Sequence, residues 1–232
     1  VLMESYLLGK QRVVFDYRDI REKGAELVTT GGKAPGPEPL RACLELITTK
    51  LDAAIGRQLK STEIADLDCI IADAVLAGGI RRAALIILFD RFDEDMLQYK
   101  TGAWWEDHPY RARANVSAVL PRGQVEREEF NHIMKRVEES GSGEPGVYWT
   151  TNEYWGTNPC CEIALRPYQF CNLCEMNADN VTDLDDYLAR AKAAALIGTL
   201  QAAHTDFHYL RPEWKRTTEA EALIGVGQTG IA

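Results

Sequence analysis

Between Ala83 and Phe89 the chain reads AALIILF without one polar side chain, and a second strand-like run, ANVSAVL, spans Ala114 to Leu120. Runs that are apolar on both faces suit strands sheltered on both sides, which means parallel strands with helices packed over them. The intervening stretches carry helical periodicity instead. After Pro37, residues Leu40, Cys43, Leu44, Leu46, Ile47, Leu51 and Ile55 recur at helical intervals, and a Ser61/Thr62 cap opens a second helix through Ile64, Leu67, Ile70, Ile71, Val75 and Leu76. Gln124 to Ser140 reads as a charged surface helix. Thr182-Asp183-Leu184-Asp185 resembles a capping box at the head of a long Leu/Ala-rich helix reaching about His204. Residues 1–9 form a short helix stopped at Gly9, RVVFDY at Arg12 to Tyr17 reads as a buried strand, and Glu221 to Ile224 lead into a last strand. Strands separated by helices make the fold class α/β, compatible with a segment of a barrel.

The balance of charge narrows the partners. A net charge of −9 over 232 residues makes the chain a poor binder of nucleic-acid polymers or anionic membranes, while leaving room for a small anionic ligand held by local arginines and backbone amides. No stretch has the length of a membrane span or the pattern of a signal peptide. The six cysteines are bunched rather than spread at framework spacings, so a reducing, cytoplasmic setting with reactive or buried thiols is expected. Cys43 and Cys69 fall on or beside apolar helix faces and read as inert core thiols.

The other four cysteines lie inside fifteen residues, in Thr157-Asn158-Pro159-Cys160-Cys161-Glu162-Ile163 and Phe170-Cys171-Asn172-Leu173-Cys174. Pro159 stiffens the first stretch, and in an extended segment Asn158, Cys160 and Glu162 would share one face. That face would present amide, thiol and carboxylate to one small substrate, with the acid within reach for general-base work. The two stretches could pair as a hairpin, setting Cys160 opposite Cys171 or, with a shifted turn, opposite Cys174. Three readings compete here: a zinc site on Cys160, Cys161, Cys171 and Cys174, a cysteine-rich strand pair without chemistry, and thiol-based redox or radical catalysis.

Two glycine-bearing loops are candidates for contacting an anion. Thr29 to Pro37 (TTGGKAPGP) offers backbone amides but lacks P-loop spacing, so an ordinary long connection is the favoured reading. In Ala77-Gly78-Gly79-Ile80-Arg81-Arg82 the glycines permit close approach and the arginines supply donors, the alternative being a helix C-cap with solvated arginines. His204 and His208 read as polar tips at a helix end.

Taken together, GGKAPGPEPL at 31–40, AGGIRRAALIILFD at 77–90, GEPGVYW at 143–149, the cysteine segment, YLRPEW at 209–214 and GVGQTGIA at 225–232 resemble, in order, the catalytic chain of ribonucleotide reductases, particularly the adenosylcobalamin-dependent (class II) type. The resemblance covers nearly the whole chain and implies part of a ten-stranded α/β barrel with a central finger loop. It further implies that residues 1–232 are a single partial domain, the middle of that barrel, and an inactive piece on its own. Carried over, Cys160 would be the thiyl-radical residue, Glu162 the base for the 3′-hydroxyl, Asn158 a hydrogen bond to substrate, and Cys171 one of two reducing thiols. Gly78, Gly79 and Arg81 would belong to the loop that relays effector identity. The implied cofactor is adenosylcobalamin, with no metal held by these residues. The implied partners are a ribonucleotide substrate, a nucleotide effector (dNTP or ATP) and a thioredoxin- or glutaredoxin-type reductant, for deoxyribonucleotide synthesis. A class I large subunit, served by a separate radical-generating small subunit, is the alternative within the family, and a zinc-binding interaction module the alternative outside it. The chain departs from the family pattern at Cys161, where many relatives carry a small residue, at the extra thiol of Cys174, and at Asn115-Val116-Ser117.

Overall fold

The computed structural model describes residues 1–28, 31–77, 80, 81 and 83–231, with the backbone alone for 76, 77, 80 and 81. The chain divides into two compact units, Val1–Thr151 and Asn152–Ala232, each considered by itself.

In the first unit, α1 (Leu2–Leu7) stops short of Gly9, whose φ of +60° a side chain would resist. Helix α2 (Glu38–Ala53) begins with Pro39 in its first turn, where a missing N–H costs nothing, and buries Cys43, Ile47 and Leu51 at four-residue spacing. Helix α3 (Ser61–Ala74) starts one residue earlier than its hydroxyls suggest: Lys60 is the N-cap, and its N–H donates to the Glu63 carboxylate at 2.9 Å. Cys69 is fully buried and Cys43 nearly so, and burial pushes both thiols up, in keeping with core roles.

The two-residue strands β1 (Leu76–Ala77) and β2 (Ile80–Arg81) pair antiparallel. Helix α3 ends at Ala74, with Val75 as its C-cap. Strand β3 (Leu85–Asp90), the short helices α4 (Glu94–Leu97) and α5 (Trp104–Asp107), and a 3₁₀ turn at Pro109–Arg113 lead to β4 (Ala114–Pro121). The adjacent Trp104 and Trp105 open α5. Helix α6 (Arg127–Ser140) ends on Gly141 in the left-handed region, and β5 (Gly146–Thr150) follows.

Strands β3, β4 and β5 form a parallel sheet in that order. The parallel geometry expected from the apolar runs is present, with the shelter distributed unevenly. Ala118 and Leu120 of central β4 are fully buried, whereas β3 lies at the sheet edge and most of it is half-exposed. Gly146 is required by close packing, because a Cβ there would stand 2.6 Å from the Ser117 hydroxyl across the β4–β5 pair.

The strand expected at Arg12 to Tyr17 does not form. Val14 is 93% exposed, and nearby Asp16 accepts the Arg18 backbone N–H at 3.0 Å, a local bond that favours a turn over a ladder.

A polar cluster crosses this unit's interior. Asp66 of α3 is 3% exposed and accepts from Lys50 (2.8 Å), Arg111 (2.7 and 3.2 Å), Tyr99 (2.7 Å) and Tyr110 (3.1 Å). Burial pushes its carboxyl up, but Arg111, Lys50 and Tyr99 together outweigh this and hold it at about 2.

In the second unit, β6 (Gly156–Thr157) and β7 (Ala164–Leu165) make a small antiparallel hairpin. Strand β8 (Cys171–Asn177) runs through α7 (Leu184–Ala202) and α8 (Pro212–Ala220) to β9 (Leu223–Thr229), with which it pairs in parallel over seven residues. The cap of α7 is Asp183, one residue beyond the expected Thr182, and its carboxylate accepts the Asp186 N–H at 2.9 Å. Gly198 lets α7 lie directly on this sheet: a Cβ there would meet Ile224 at 2.9 Å and the Cys174 sulfur at 3.3 Å. The whole chain is thus mixed α/β with parallel sheets. No helix among the described residues is long and apolar enough to cross a membrane.

Candidate active site

The hairpin β6–β7 exists to hold a loop. Its two rungs, Gly156 with Leu165 and Thr157 with Ala164, close residues 158–163 into a tight excursion. Pro159 favours a turn, and the Cys161 N–H closes one by donating to the Asn158 carbonyl at 2.9 Å. Cys161 has φ +67°, a left-handed conformation uncommon outside glycine. The segment is therefore not extended, and alternation along a strand is not what brings Asn158 and Glu162 together.

The turn does that instead. Asn158 is buried, and its side chain works in both directions: Nδ2 donates to Glu162 Oε1 at 2.6 Å, while Oδ1 accepts the Ile163 N–H at 3.1 Å. The amide thereby fixes the carboxylate and the returning backbone at once. Cys160 occupies the turn between them and is exposed, as is Cys161. This chain's own residues therefore leave Cys160 open to solvent.

The expected hairpin between the two cysteine stretches is replaced. Cys171 to Asn177 pairs with Leu223 to Thr229, so neither Cys171 nor Cys174 faces Cys160 across a ladder. Cys171 is nevertheless close to the loop electrostatically: burial raises its thiol, and the Glu162 carboxylate raises it further. Cys161 is raised likewise by burial, then by Cys160 and Glu162. The Glu162 charge thus acts both on Cys161 in the loop and on Cys171, the first residue of β8.

Cys171 and Cys174 are three residues apart on one continuous strand and so point to opposite faces, Cys174 toward Gly198 of α7. They cannot form a zinc knuckle in that geometry. Among the described residues, no group of three or more His, Cys, Asp or Glu side chains is placed to hold a metal ion. All six cysteines are free.

Sequence reasoning missed the support beneath β8. Phe170 packs at a tilt against Trp214 (4.4 Å between centroids) and Phe207 (5.0 Å), while Tyr168 meets Trp214 edge-on. Gln169 accepts the Arg166 N–H and donates to the Glu221 carboxylate, tying the segment before β8 to the start of β9. The available signal was the aromatic residues themselves, Phe207 and the Trp214 of YLRPEW. His204 packs edge-on to Phe207, and exposed His208 contacts Asp206, as polar tips would.

Of the glycine loops, Gly78 and Gly79 lie outside the described residues, as do Thr29 and Thr30, and for Arg81 the structure gives only its backbone, in β2.

No family model matches the chain, and no solved structure matches it. Curated proteins do. The chain is 28% identical over 253 residues to an adenosylcobalamin-dependent ribonucleoside-triphosphate reductase of Euglena gracilis, covering 100% of this chain and 33% of that protein. A protein of the same name from Lacticaseibacillus paracasei is 28% identical over 242 residues, 96% of this chain and 31% of the relative. Another, from Lactobacillus delbrueckii subsp. bulgaricus, is 32% identical over 184 residues, 72% of this chain and 24% of the relative. The chain thus spans about a third of the length of the relatives that match it from end to end.

Proposed function

We propose, for a chain related along its whole length to adenosylcobalamin-dependent ribonucleotide reductases, that it is the middle of such an enzyme's catalytic chain, within a ten-stranded barrel whose finger loop is residues 158–163. The reaction is replacement of the ribose 2′-hydroxyl of a ribonucleoside triphosphate by hydrogen, for deoxyribonucleotide synthesis. Its balance is ribonucleotide plus two thiols giving deoxyribonucleotide, one disulfide and water.

The observation that carries this reading is the 2.6 Å bond from Asn158 to Glu162 across the turn bearing Cys160. It sets an amide, an acid and a thiol within six residues of loop, fixed by the hairpin rather than by long side chains. In the resting chain Asn158 holds the carboxylate; with a sugar in place, its amide and the carboxylate turn to the substrate hydroxyls. Glu162 then takes the proton of the 3′-hydroxyl as the Cys160 sulfur takes the 3′-hydrogen. An S–H bond and a sugar C–H bond are comparable in strength, so that transfer is nearly balanced. Cys171 supplies one of the two reducing thiols, its partner lying in another part of the protein.

The exposed position of Cys160 fits a radical source that docks against the loop from outside the chain. Bound adenosylcobalamin would supply the organic radical that begins turnover, and we assign no side chain of this chain to hold it. The remaining parts of the enzyme would then exclude water and oxygen from the sulfur. Gly78, Gly79 and Arg81 are assigned to effector communication, and a thioredoxin- or glutaredoxin-type protein to re-reduction. The test is the cobalamin requirement of the full-length parent. Turnover that depends on adenosylcobalamin is expected; turnover without it, sustained by a metal-containing small subunit, would overturn the assignment.

A further inference from the structure

Cys160 and Cys161 are adjacent, free and exposed at the tip of one turn. No other pair of thiols in the chain shares these properties. Cys43 and Cys69 are core residues, and Cys171 and Cys174 leave β8 on opposite faces.

What such a pair can bind follows from its geometry. Consecutive Cα atoms across a trans peptide are about 3.8 Å apart, short of the roughly 4.4–6.8 Å that an unstrained disulfide spans. A direct S–S bond between neighbours is therefore strained and easily reduced. A large, soft, trivalent centre that bonds to both sulfurs separately does not impose that strain, because its longer bonds hold the sulfurs apart. Thiolates are the ligands such soft centres select. The backbone that carries both sulfurs is also set before anything binds, since Pro159, the Cys161 N–H bond to Asn158 and the hairpin rungs fix it there.

We infer that Cys160 and Cys161 form a vicinal dithiol site for trivalent arsenicals, closing a ring of two S–As bonds at the loop tip. In the step, an organoarsenic oxide R–As=O meets two S–H groups. Two As–S bonds form, the As=O bond and two S–H bonds break, and the oxygen leaves as water with both protons; no electron is transferred. The second As–S bond forms intramolecularly, so the pair holds the group about 10²–10⁴-fold more tightly than either thiol alone. The site does not depend on the reductase reading. If that reading holds, capture also removes the Cys160 hydrogen from use.

The probe is phenylarsine oxide added to this chain under reducing conditions, read by intact mass and peptide mapping after challenge with excess glutathione. One adduct is expected, its mass that of a phenylarsenic group less two hydrogens. It should map to the peptide holding Cys160 and Cys161, persist in glutathione and be released by 2,3-dimercaptopropanol. Cys160→Ser and Cys161→Ser should each lose glutathione resistance by that factor, while Cys171→Ser and Cys174→Ser keep it. Because Cys161 is exposed, circular dichroism of Cys161→Ser should match the parent, which separates loss of the site from loss of the fold. An adduct that survives in Cys161→Ser but disappears in Cys171→Ser would place the dithiol between loop and strand and overturn the inference. So would the absence of any glutathione-resistant adduct on the parent chain.

Discussion

Asp66→Asn isolates one buried charge among its partners. Asparagine keeps the size of the side chain but removes the charge that faces Lys50 and Arg111, whose side chains are 20% and 13% exposed. Stranding a buried partner costs roughly 3–5 kcal/mol. The low end, about 3 kcal/mol, is expected here, because Arg111 keeps its 2.6 Å bond to the Tyr99 carbonyl and Lys50 stays over the Tyr110 ring. A second magnitude comes from pH. Asp66 is held at about 2 in the fold, below an unfolded value of about 3.9. A depressed carboxyl contributes stability above the unfolded value and loses it as pH falls through the folded one. The loss is therefore confined to the interval from about pH 4 down to about pH 2, and amounts to about 2 kcal/mol. Hydrogen exchange of the Ser61–Ala74 helix in graded urea reads both. At pH 7 the variant should open about 3 kcal/mol more easily than the parent, and by pH 2 the gap should shrink by about 2 kcal/mol. Equal stabilities at pH 7, or a gap that ignores pH, would refute the idea that this carboxylate holds the cluster together.

Two further outcomes concern the second unit. In Gly198→Ala, better helix propensity contributes about 1 kcal/mol, but the new methyl would stand 2.9 Å from Ile224 and 3.3 Å from the Cys174 sulfur. Overpacking of that kind costs about 1–3 kcal/mol, so thermal melting should show no gain and most simply a loss; a stabilised variant would mean that α7 does not lie on the sheet this way. Asn158→Ala removes the bonds to Glu162 and the Ile163 N–H, each worth about 1 kcal/mol net. The Ile163 amide should then exchange on the order of 5–30-fold faster, and an unchanged rate would show that the turn holds itself without the Asn158 side chain.

Much of the fold is legible where burial repeats locally. The faces of α2 and α3 follow from a 3.6-residue period, and β4 from an apolar run that is in fact buried at its centre. What local pattern does not contain is the partner. RVVFDY has strand composition but forms no ladder with any described residue, and β8 finds its neighbour some fifty residues later in β9, not in the adjacent stretch. The Asp66 cluster gathers side chains from position 50 to position 111, so no window of sequence displays it. At the candidate site the residue types were readable and their arrangement was not. Asn158, Cys160 and Glu162 were expected to converge by alternation along an extended strand. A turn with Cys161 in the left-handed region brings Asn158 and Glu162 into contact instead, with Cys160 at its exposed tip.

Under the proposed function, the Cys160 sulfur does the chemistry on a bound nucleotide. It is tested most directly by Cys160→Ser in the full-length enzyme, with deoxyribonucleotide formation and nucleotide binding measured on the same preparation. Product should fall to background while binding stays at the parent's level. Turnover that survives the loss of this sulfur would rule out Cys160 as the reacting residue.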